Sequence, residues 1–93
     1  MKTIYKYALE LTDRQAVSMP IGSKILYVGN QNGTICVWAE VDSDVPYYRD
    51  HEFRIVGTGN PIDFPTKPNE TTSPYNFIGT VIMNPFVWHV YWS

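Results

Sequence analysis

Ile25-Leu26-Tyr27-Val28-Gly29-Asn30-Gln31-Asn32-Gly33-Thr34-Ile35-Cys36-Val37-Trp38-Ala39-Glu40-Val41 is two β-rich runs joined by an Asn-Gly pair. Both residues of the pair tolerate the positive φ that a type I′ turn demands at its two central positions, so the stretch reads as a tight hairpin. Placing Gln31 opposite Thr34 sets Val28 against Val37, Tyr27 against Trp38 and Leu26 against Ala39, because directly opposed residues share a face. One face then carries Leu26, Val28, Ile35, Val37, Ala39 and Val41, and it is expected to be buried. The other carries Ile25, Tyr27, Gly29, Cys36, Trp38 and Glu40, an aromatic pair beside a glycine and an acid.

Outward from the hairpin, prolines at 20, 46, 61, 65, 68, 74 and 85 cut the chain into segments mostly too short for a helix, and Val, Ile, Tyr, Trp and Thr fill them. The candidate strands are 2–9, 15–19, 23–30, 34–42, 51–58, 76–83 and 86–92. The expected fold is all-β: one small domain over residues 1–93 with about six or seven antiparallel strands, as a meander sandwich or a partly open barrel. Thr12-Asp13-Arg14-Gln15 is too short to stand as a helix and reads as a turn. At Asn84-Pro85 the fixed negative φ of proline argues against a type I′ turn. A type I turn with Pro85 at its first corner would set Asn84 opposite Val87, leaving Trp88, Val90 and Trp92 on one face. Four prolines between residues 60 and 75 make that stretch an extended surface loop or lid.

The chain has 93 residues, 44% hydrophobic and 17% charged, which is enough apolar material to fold and little to spare for a second unit. A domain of this size buries only about 60–65% of its unfolded surface, so self-association into a homo-oligomer is expected. Seven cations against nine acids give a net charge of −2, which works against nucleic acid as the partner. The single Cys36 forms no internal disulfide and supplies no zinc site alone. Lysines among aromatics in residues 1–7, with no long apolar run anywhere, suit a cytoplasmic protein and no membrane span. The triplets Asn32-Gly33-Thr34 and Asn69-Glu70-Thr71 read as turns.

Chemistry-bearing constellations are sparse. His51 and His89 fall in different strands without metal-ligand spacing, and Asp50-His51-Glu52 alternates sides, so both histidines read as surface residues. Cys36 reads as a small buried hydrophobe. Gly57-Thr58-Gly59 lacks the rest of a phosphate loop and reads as a strand exit. Asp42-Ser43-Asp44 lacks the later ligands of a calcium loop and reads as a solvated turn. No cofactor, no metal and no enzymatic activity are expected. Fourteen aromatics, with arginines near two of them, are the feature most suited to function. Tyr27, Trp38, Tyr47, Tyr48 and Arg54 are the candidate binding residues, while Phe53, Phe77, Trp88 and Trp92 are assigned to the core.

Six short blocks recur in a recognisable order: Met1-Lys2-Thr3-Ile4-Tyr5-Lys6-Tyr7, Gln31-Asn32-Gly33, Trp38-Ala39-Glu40-Val41-Asp42, Gly57-Thr58-Gly59, Ile78-Gly79-Thr80 and His89-Val90. In them the chain resembles a family of small proteins of unknown function from bacteriophages and prophages, with a longer 60–75 connector than is usual there. The resemblance implies a phage context and assigns no catalytic residue. The expectation is therefore a phage-encoded, non-catalytic binding protein of the host cytoplasm. It would block a host protein or sequester a nucleotide-like ligand, as an anti-defence or host-takeover factor. The alternative is a small virion or assembly component acting by oligomerisation. A hydrolase built on His51 or His89 ranks last and would need an imidazole within hydrogen-bond reach of a carboxylate.

Overall fold

A computed structural model describes residues 1–67 and 74–93. It contains seven strands: β1 (Lys2–Ala8), β2 (Arg14–Pro20), β3 (Lys24–Gln31), β4 (Thr34–Asp42), β5 (Tyr48–Gly57), β6 (Asn76–Met83) and β7 (Phe86–Trp92). All pairings are antiparallel. They form two open sheets, one ordered β1-β4-β3 and the other β2-β5-β7-β6. The chain changes sheet after β1, after β2 and after β4, so the strands do not run as one meander. Among the described residues no helix is long and apolar enough to cross a membrane.

The hairpin that decides the fold forms as its turn chemistry requires. Asn32 and Gly33 have φ of 52° and 84°, and the Asn30 side chain accepts a hydrogen bond from the Gly33 N–H at 2.8 Å. Tyr27 faces Trp38 and Val28 faces Val37. One step further the expected register fails, because a β-bulge lies between Ile25 and Tyr27 and it is Ile25 that pairs with Ala39. The extra residue of a bulge reverses the alternation beyond it. Leu26, expected in the core, is therefore exposed, while Ile25, expected outside, packs against the core.

Between the sheets lies one cluster that includes Met19, Val28, Ile35, Val37, Ala39, Val41, Phe53, Ile55, Val81 and Val90. Strand β5 shows why: His51, Phe53, Ile55 and Gly57, at alternate positions, are all buried. His51, expected on the surface, shares that inward phase. Its Nδ1 lies 3.0 Å from the Ser93 oxygen, and its ring centroid is 5.7 Å from that of Trp92. Trp88 and Trp92 pack against the core, but Phe77, also assigned to it, stands exposed and meets Tyr91 edge-on at 5.2 Å. A second bulge between Phe77 and Gly79 separates it from the buried phase of β6.

The β6–β7 turn also differs from expectation. It closes over Asn84 and Pro85 alone, joined by a cis peptide bond, with Met83 opposite Phe86 and Val81 opposite Trp88. The expected type I corner, with Asn84 opposite Val87, placed each partner two residues too far along β7, a shift that preserves the faces.

Candidate functional site

The outer face of the three-stranded sheet is assembled by register. Lys6, Trp38 and Tyr27 stand side by side across β1, β4 and β3, with Ala8, Cys36 and Gly29 as the next row. The Tyr27 and Trp38 rings meet at 5.9 Å with planes inclined at 46°. Tyr27 leans over Gly29, where an added Cβ would stand 2.9 Å from its Cε2. The tyrosine remains 64% exposed and the indole is half-buried, so the pair forms a surface and not a sealed core. Lys6 Nζ donates to Gln31 Oε1 at 2.5 Å, a link that spans the central strand. Cys36 lies buried with a free thiol, as a small hydrophobe does.

Around the aromatic pair this face carries Lys2, Lys6 and Lys24, three of the chain's seven cations, together with exposed Ile4 and Leu26. Glu40 lies between Ile4 and Lys24 in the register and is approached by Lys2 Nζ at 4.0 Å. Asp42 and Asp44 close the lower end by holding the Met1 amino group. That pairing draws the Asp42 carboxyl below its usual range. The Asp42–Asp44 turn is exposed to solvent, as expected, and also holds the Met1 amino group.

The other three candidates lie elsewhere. Tyr47 and Tyr48 are exposed at the entry to β5, where the Tyr47 carbonyl accepts the Ile21 N–H at 2.9 Å and Tyr48 faces Pro20. Arg54 lies on the outer face of the four-stranded sheet, and its guanidinium is engaged within the chain. Nε donates to the Asp13 carbonyl at 3.1 Å, Nη2 donates to Asp63 Oδ1 at 3.0 Å, and the group sits 4.3 Å from the Phe64 ring centroid. The structure brings Tyr27 and Trp38 together and leaves Tyr47, Tyr48 and Arg54 apart from them.

What sequence reading missed is the clasp around Arg54. Phe64 leaves the proline-rich stretch to pack on Tyr75 at 4.9 Å and Tyr91 at 5.3 Å, and the Lys67 N–H meets the Tyr75 carbonyl at 3.2 Å. The lone phenylalanine in a polar, proline-rich segment was the available signal. Residues 68–73, which include Pro68 and the triplet Asn69-Glu70-Thr71, lie outside the described residues.

Beside the clasp, Glu52 receives the Tyr75 hydroxyl and the Arg14 guanidinium, the latter at 2.9 Å. Those hydrogen bonds, the Tyr75 one foremost, hold its carboxyl below the usual glutamate range. A depressed carboxylate stabilises the fold above its unfolded pKa, and that stabilisation is lost as pH falls through the lower folded value. Melting temperature is therefore expected to drop on acidification below about pH 4. Glu52→Gln should make the drop shallower, and a pH series of thermal melts checks it.

The two histidines have other partners. His89 is held by Thr58 Oγ1 at Nε2, 2.7 Å away, and by Thr80 Oγ1 at Nδ1, 2.9 Å away. Among the described residues no three or more His, Cys, Asp or Glu gather as metal ligands would.

Residues 1–93 match the family described as Domain of unknown function (DUF7352). No curated protein and no solved structure matches the chain.

Proposed function

Because the chain belongs to the DUF7352 family, a domain of unknown function, we propose its function from its own surface: a non-catalytic binding protein. It docks a macromolecular partner, a protein with an acidic patch, on the outer face of the β1-β4-β3 sheet. The observation that carries this reading is the Tyr27–Trp38 pair, in ring contact on the solvent side. Aromatic side chains supply large contact area at low entropic cost and dominate the energetic centres of protein interfaces. A sheet face suits a broad partner better than a small ligand, and Lys2, Lys6 and Lys24 against Glu40 and Asp42 leave it a small positive excess in a chain whose net charge is −2. Stoichiometric docking needs complementary surface and no activated nucleophile. Arg54 acts within this proposal as a positioning residue for the 60–67 segment, and exposed Tyr47 and Tyr48 offer further contact area.

The likeness to small phage and prophage proteins supports a phage-encoded factor of the host cytoplasm that blocks a host protein. Assembly into a homo-oligomer through the same face is the second reading. It is favoured by the exposed Ile4 on β1, whose far edge joins no strand in the described sheet.

Photo-crosslinking in the producing cell separates these readings. A photoreactive residue at position 27 is expected to give one discrete adduct with a different protein, and the adduct should fall at least about tenfold with Trp38→Ala. The same group at exposed Ile82, on the other sheet, should give none. An adduct of the protein with itself supports the oligomer. Equal labelling from both positions contradicts a docking surface.

A further inference from the structure

Among the described residues, the four-stranded sheet is incomplete at one corner. β2 begins at Arg14, opposite Arg54, and the last backbone bond along that edge runs from the Ile55 N–H to the Asp13 carbonyl at 3.4 Å. Among the described residues, β5 continues to Gly57 with no strand beside it on that side. The Thr58 N–H donates to Val87 and the Ser93 N–H to Glu52, so the even-numbered residues of this run turn their backbone groups toward β7. Alternation along a strand then turns the Ile55 carbonyl and the Gly57 N–H toward the open corner.

A cavity of about 370 Å³ fills that corner, within the range of about 300–1,000 Å³ that holds small ligands. Trp88 and Phe64 give it aromatic walls. Gly57 keeps the strand tight against its neighbours: an added Cβ would stand 2.9 Å from Asn60 Nδ2 and 3.1 Å from Trp88 Cζ3. A second hollow of about 350 Å³ shares Gly57, Asn60 and Trp88 and extends the cleft toward Phe86. The charged groups lining the corner are Asp13, Asp63 and Arg54, two carboxylates against one guanidinium that is already matched to Asp63.

We infer that this corner binds a neutral planar heterocycle carrying a hydrogen-bond donor beside an acceptor, the chemical class of a nucleobase or nucleoside. The Ile55 carbonyl receives the ligand's donor and the Gly57 N–H serves its acceptor, as a neighbouring strand would have done. Trp88, which stacks on Phe86, and Phe64, which carries Arg54 over its ring, line the corner and give the heterocycle apolar contact. The carboxylate excess repels a phosphate, so a nucleoside binds and its nucleotide is rejected. The site lies on the opposite sheet from the Tyr27–Trp38 surface and stands independently of it.

Titrating ¹⁵N-labelled protein with adenosine tests the inference. Saturable shifts are expected at the Gly57 amide and the Trp88 indole N–H, with a Kd on the order of 0.1 mM. AMP should bind at least about tenfold more weakly. Asp63→Asn, at a side chain 79% exposed and thus tolerant of change, should narrow that gap by freeing Arg54 for the phosphate. Gly57→Ala should weaken adenosine about tenfold by displacing Trp88 and Asn60. The inference is overturned if the two signals do not shift, if AMP binds as well as adenosine, or if the shifts gather on Tyr27 and Trp38.

Discussion

Phe53→Ala is expected to cost about 3–5 kcal/mol of folding stability, the range for deleting a fully enclosed phenylalanine ring. Phe53 has 0% exposure, sits between Gln15 and Trp92 in the register of its sheet, and belongs to the cluster that joins both sheets. A domain of this length is stable by roughly 5–14 kcal/mol in total, so the loss is a large fraction of what there is. In urea titrations the midpoint should fall steeply while the slope stays unchanged. Phe77→Ala is the matched control. Its ring is 51% exposed, and the substitution should stay within about 1 kcal/mol of the parent. If the two substitutions cost the same, the inward phase assigned to β5 is wrong.

The second large effect belongs to Arg54. Its side chain is only 13% exposed and contacts the Asp13 carbonyl before β2, the Asp63 carboxylate and the Phe64 ring. Arg54→Met keeps most of the apolar stem and removes the charge, leaving the carbonyl and carboxylate to seek water. The expected cost is about 2–3 kcal/mol, as for lost hydrogen bonds to a charged group. Arg54→Lys should recover little, because one ammonium cannot reproduce a planar fork that bonds in two directions while lying on a ring. Limited proteolysis gives the local readout: residues 60–67 should become cleavable in both variants while the sheets remain protected. Lysine restoring full protection would show that charge alone closes the clasp.

The parts of this fold that were legible in the sequence are those whose cause is local. Asn32-Gly33 specifies its turn through the φ values that these two residues tolerate, and the turn fixes the pairing from Gln31–Thr34 to Tyr27–Trp38. The reading failed one residue later, at Leu26, because nothing in Lys24-Ile25-Leu26-Tyr27-Val28 announces a bulge, and both Ile25 and Leu26 are apolar enough to face inward. His51 was misassigned for a different reason. Alternation in Asp50-His51-Glu52 does not by itself say which side is buried, and it is the phase of His51 with Phe53 and Ile55 that puts it inside. Strand order and the Arg54–Phe64 clasp were out of reach because they depend on contacts between distant segments that no short pattern encodes. Of the candidate residues, the adjacency of Tyr27 and Trp38 followed from the turn, whereas nothing local could show that Arg54 is occupied by its own chain.

Hydroxyl-radical footprinting reads the docking face itself when the protein inside the cell that makes it is compared with the same protein after purification. Tyr27 and Trp38 are expected to label readily when purified and to lose at least about two-thirds of that labelling in the cell, because a partner excludes water from the interface core. Exposed Phe77 and Phe86, on the other sheet, should label alike in both settings. Equal labelling of Tyr27 and Trp38 in the two settings would contradict docking on this face.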